Sequence, residues 1–81
     1  MLKAKLPGGF QGKEEDIRIS FYEEVGNGPQ IELRFEGDEV TLISDHEGLP
    51  NDWNMDSLKT VFSIAMHRVL PQAGQLVWEQ I

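Results

Sequence analysis

The chain has no cysteine among its 81 residues. Disulfides and thiolate–metal clusters are therefore excluded, and stability must come from one modest core. Long apolar runs are missing too. No stretch approaches the roughly 18 residues of a membrane span. The start, Met1 to Leu6, alternates apolar residues with lysine and meets Pro7-Gly8-Gly9 before any apolar run of signal-peptide length. These absences set the expectation of a cytoplasmic protein, in the host cytoplasm if the gene is phage-borne. Positive charge is the third scarcity, with seven Lys and Arg against 14 Asp and Glu.

What is present is a 40% apolar, 26% charged chain of net charge −7. That composition is too apolar for disorder and fits one acidic domain over residues 1–81. The acidity is uneven. Twelve of the 14 acids fall in the first 52 residues, and the last 29 balance to zero. Phosphates would be repelled by such a surface, which argues against direct nucleic-acid binding. Anionic membranes are disfavoured for the same reason. Opposite potentials steer association, so a basic protein surface is the favoured partner. Solubility alone is the plain alternative.

Periodicity supplies the elements. Ile17, Ile19 and Phe21 alternate with Arg18, Ser20 and Tyr22, which reads as a half-buried strand. Ile31, Leu33 and Phe35 alternate with Glu32, Arg34 and Glu36, a second strand. Gly37-Asp38 is a two-residue turn, and Glu39 to Ser44 is a third. That turn sets 36 opposite 39, 35 opposite 40 and 33 opposite 42, which places Phe35 with Val40 and Leu33 with Leu42 on one apolar face. Asn54 then caps a helix, Trp53 staples onto Leu58, and Leu58, Val61, Phe62, Ala65, Met66 and Val69 form its apolar stripe until Pro71 ends it. Leu76 to Ile81 is a closing strand with Trp78 and either Leu76 or Val77 inward, and Leu2, Ala4 and Leu6 form a further strand at an edge. The expected fold is α+β, a small antiparallel sheet of three to five strands under one helix, in the order (β)βββαβ. Its open face would show Arg18, Ser20, Tyr22, Glu32, Arg34, Glu36, Glu39, Thr41 and Ile43 with one charge sign dominant.

In that arrangement Glu14, Glu15, Asp16, Glu36, Asp38 and Glu39 gather at one end of the sheet, and Glu23, Glu24, Asp45 and Glu47 at the other. Glu36 facing Glu39 costs stability by itself, without evident structural return. The expected partner-binding residues are Glu14, Glu15, Asp16, Tyr22, Glu32, Glu36, Asp38 and Glu39, with Tyr22 as the aromatic anchor.

Catalytic readings are weaker. Ser44-Asp45-His46-Glu47 holds the residue types of a triad, but sequence neighbours do not converge in space. Asp45, His46, Glu47 and Asp52 lack calcium-loop or zinc spacing. Gly8-Gly9-Phe10-Gln11-Gly12-Lys13 lacks the phosphate-loop spacing, has no helix expected after it and reads as a flexible hairpin connection. His67 is expected to face solvent. No metal and no cofactor is expected, and no enzyme activity. The leading expectation is a non-enzymatic inhibitor that occludes a basic, nucleic-acid-binding or nuclease protein. Immunity proteins and phage-encoded anti-CRISPR or anti-restriction proteins are similar in size and charge, and the likeness extends to no motif. The second expectation is an assembly subunit, a homodimer formed through the open sheet face or an edge strand.

Overall fold

The computed structural model describes residues 2–26, 30–44 and 54–80. Their elements run β1 (Leu2–Lys5), α1 (Glu14–Val25), β2 (Ile31–Glu36), β3 (Glu39–Ser44), α2 (Met55–Val69) and β4 (Val77–Gln80). The strands form one antiparallel sheet in the order β2-β3-β1-β4. Both helices contribute to one core on a single face of it. The class is α+β. This βαββαβ connectivity, with β1 and β3 inside, is the ferredoxin-like, split βαβ arrangement.

The hairpin has the register that its alternation dictates: Glu36 opposite Glu39, Phe35 opposite Val40, Leu33 opposite Leu42. Gly37 takes φ of 60°, and no described non-glycine residue has positive φ, so the turn is type II′ with glycine first. Its twist suits the strands it joins. The second helix also starts as its sequence requires. The Asn54 side-chain oxygen accepts the Ser57 backbone N–H at 2.8 Å, and Leu58, Phe62, Ala65 and Met66 are buried while Val61 and Val69 are partly so. Trp53 and its staple lie outside the described residues.

Three expectations are corrected. Ile17 to Tyr22 is not a strand but the middle of α1. Its alternation spans only six residues, and the same stretch carries a helical stripe, Ile17, Phe21 and Val25, spaced four apart and buried. Ile19, which a strand would have buried, is 52% exposed. Three acids in the first turn suit the positive end of the helix dipole. The sheet is therefore covered by two helices rather than one.

The first strand is central rather than at an edge: β1 pairs with β3 on one side and β4 on the other. Leu2 and Ala4 point into the core, while Lys3 and Lys5 point to the open face. Finally, the glycine-rich segment is not a hairpin connection. It carries the chain from β1 across to α1, anchored by buried Phe10, whose carbonyl accepts the Lys13 N–H at 2.8 Å.

Phe62 is the centre of the core. Its ring lies 5.8 Å from Phe21 of α1 and 5.8 Å from Trp78 of β4, edge-on to the latter. Trp78 thus points inward with Leu76 partly buried beside it, and Val77 is 73% exposed.

Candidate interaction surface

Helix α1 carries five carboxylates, Glu14, Glu15, Asp16, Glu23 and Glu24, and one basic residue, Arg18. It, rather than the sheet, holds the largest share of the described negative charge. Its burial stripe leaves Glu15, Asp16, Ile19, Tyr22 and Glu23 facing solvent. Residues three and four apart share a helix face, so Ile19 (52% exposed) and Tyr22 (43% exposed) are adjacent, with carboxylates at both ends of the pair. The Tyr22 ring is braced edge-on at 5.8 Å by buried Phe21.

Arg18 fixes this helix along the edge of β2. In a two-residue hairpin the residues flanking the turn form a hydrogen-bonded pair, and pairs then alternate. Leu33 opposite Leu42 is a non-bonded pair, so the Leu33 carbonyl points away from the sheet. The Arg18 guanidinium donates to that carbonyl at 3.0 Å and lies 5.3 Å from the Phe35 ring centroid. Glu15 sits 3.7 Å from Arg18 on the outer side. The end of β1 lies beside the tight turn, with the Leu6 N–H on the Asp38 carbonyl, and residues 6–13 lead from there into the first turn of α1. Glu14, Glu15 and Asp16 therefore do share an end with Glu36, Asp38 and Glu39.

That end is not uniformly negative. Glu39 lies 3.3 Å from Lys3, and Asp38 lies 3.7 Å from Lys5. Both lysines come from β1, whose central place brings them beside the hairpin. The Glu36–Glu39 pairing is real, but Lys3 offsets it, so its structural return is present. Glu32 pairs with Arg34 at 3.3 Å. Glu14 and Glu36 have no ion pair among the described residues. The open sheet face is thus a mixed lattice in which Lys3, Lys5 and Arg34 alternate with Glu32, Glu36, Glu39 and Glu79, not a face of one sign. Arg18, Ser20 and Tyr22 belong to α1 instead, and Ser20 is buried.

Of the eight expected partner-binding residues, Glu15, Asp16 and Tyr22 come together on the outer flank of α1. Glu14 adjoins them, half-buried, and Glu32, Glu36, Asp38 and Glu39 form a separate group on and beside the hairpin. Ile19 and Glu23 were missed. The spacing of Ile17, Phe21 and Val25 was the signal that would have found them, since a buried stripe at 17, 21 and 25 sets 15, 19, 22 and 23 outward.

Chemistry-bearing groups are sparse. No group of three metal-ligating side chains occurs among the described residues, and Asp45, His46, Glu47 and Asp52 lie outside them. His67 is half-buried rather than solvent-facing. Its Nδ1 is 2.8 Å from the Ser63 carbonyl and its Nε2 3.0 Å from the Ala73 carbonyl. A neutral ring donates to only one of these at a time, and the protonated ring to both. No described helix is long and apolar enough to cross a membrane. Comparison with family models, with curated proteins and with solved structures finds no match to this chain.

Proposed function

We propose that this chain is a non-enzymatic protein-binding domain, cytoplasmic in location, that inhibits a nucleic-acid-binding or nuclease protein by covering its basic surface. The observation that carries the reading is the outer flank of α1. Two large exposed apolar side chains, Ile19 and Tyr22, lie one turn apart on a rigid helix, and Glu15, Asp16 and Glu23 frame them. Interface energy concentrates in such aromatic and aliphatic anchors, while charges around them steer encounter and fix orientation. The carboxylates would take the place of nucleic-acid phosphates opposite lysine and arginine. Glu36 extends the acidic surface at the hairpin end, whereas Asp38 and Glu39 are already engaged by β1.

The test is to capture the partner from its native source and titrate it into isotope-labelled protein. The reading requires amide shifts centred on residues 15–23 and an affinity that falls as salt is added. Shifts confined to α2 and β4, or binding indifferent to salt, would contradict it.

A further inference from the structure

Both edges of the sheet present outward backbone groups. On β2 the outward Leu33 carbonyl is capped by Arg18. The other edge is β4, and its exposed groups follow from the same alternation. With Glu36 and Glu39 hydrogen-bonded across the turn, Val40 and Leu42 direct their backbone groups at β1. Lys3 and Lys5 then bond to β4, through Glu79 and Val77. The Leu6 N–H donating to the Asp38 carbonyl at 2.7 Å agrees with this order. Trp78 and Gln80 are left with N–H and C=O pointing away from the sheet, uncapped among the described residues.

A groove of about 580 Å³ runs beside this edge, between β4 and α2. Ile64 (44% exposed) and the half-buried Trp78 give it an apolar wall. Its polar rim is Lys59, Thr60, Ser63, His67 and Arg68, and no carboxylate lines it among the described residues. Arg68 is held by Glu24 of α1. Lys59 is only weakly engaged, 4.0 Å from an almost fully exposed Asp56. His67 lies between the Ser63 and Ala73 carbonyls, within hydrogen-bond distance of each, at the place where the segment entering β4 meets α2.

We propose that this edge and groove bind an extended acidic segment of a partner protein by strand addition. Such recognition joins main-chain hydrogen bonds at a free edge with pockets for alternate side chains. The segment pairs with Trp78 and Gln80, sets an apolar side chain against Ile64 and Trp78, and places a carboxylate at Lys59. A second copy fits less well, since antiparallel pairing of two β4 strands sets the Lys59 and Arg68 rims of both copies against each other. This site is independent of the α1 flank.

The experiment is selection of random decapeptides displayed on phage against the full chain. Selected peptides are then synthesised and measured on the native protein and on Ile64→Arg, Lys59→Glu and Gln80→Pro, each checked for native circular dichroism. Gln80→Pro removes an outward N–H while sparing the bonds to β1. The proposal requires peptides in which acidic and apolar residues alternate, binding roughly tenfold weaker or worse on each folded variant, and amide shifts at Leu76 to Gln80. It is overturned if selection yields no shared pattern, if peptides bind native and variant protein alike, or if light scattering shows a dimer with protected β4 amides, which assigns the edge to a second copy.

Discussion

The Arg18 guanidinium donates to the Leu33 carbonyl at 3.0 Å while lying over the Phe35 ring at 5.3 Å, so one side chain both seats α1 and caps one outward carbonyl of the β2 edge. Arg18→Ala should lower stability by about 1–2 kcal/mol, from a charge-assisted hydrogen bond and a cation–π contact that are partly solvated. Arg18→Lys should recover only part, because an ammonium cannot stack and donate in the same plane. Urea denaturation of the three proteins gives the order; a variant as stable as the native protein would remove Arg18 from this role.

The ring series Phe21, Phe62 and Trp78 joins both helices to β4. Phe62→Ala should cost about 3–5 kcal/mol, enough to threaten the fold of so small a domain. Unchanged thermal melting of Phe62→Ala would contradict the core described above.

Ser20 has the opposite sign. Its hydroxyl is buried in α1 without a hydrogen-bond partner among the described residues, and an unsatisfied buried hydroxyl costs about 1–3 kcal/mol. Alanine has the same shape without the hydroxyl and favours helix more. Ser20→Ala should therefore raise the denaturation midpoint, and a lower midpoint would show that the hydroxyl is satisfied in solution.

The hairpin end offers a paired comparison. Glu36 faces Glu39 across the turn with no ion pair among the described residues, whereas Glu39 has Lys3 at 3.3 Å. Glu36→Lys should stabilise by roughly 0.2–1 kcal/mol, whereas Glu39→Lys gains the same cross-strand pair but sets a second lysine beside Lys3 and should gain nothing or lose stability. Both effects should shrink in high salt. Equal changes of one sign would mean that the β1 lysines do not order these carboxylates.

Legibility followed the strength of each local signal. The hairpin was readable because two alternating strands and a two-residue turn check each other's register, and α2 because Asn54, its stripe and Pro71 agree on its limits. For α1 two periods compete: 17, 19 and 21 for a strand, 17, 21 and 25 for a helix. Contacts with Phe62 and with the β2 edge decide between them, and those are distant in sequence. The central place of β1 was hidden likewise, since its Leu2–Ala4 alternation fits any sheet position. Those two differences regroup the expected residues. Reading α1 as a strand divided its carboxylates between the two ends of a sheet instead of setting them along one helix, and leaving β1 at an edge removed Lys3 and Lys5 from the hairpin they accompany.

The central claim is that the outer flank of α1, and not the hairpin, docks a basic protein. Calorimetric titration of the captured partner tests it most directly, against native protein, against a variant carrying Glu15→Lys, Asp16→Lys and Tyr22→Ala, and against Glu36→Lys. The account predicts a loss of at least about 30-fold for the α1 variant and under about threefold for Glu36→Lys. Equal binding by the native protein and the α1 variant, or a greater loss from Glu36→Lys, would contradict it.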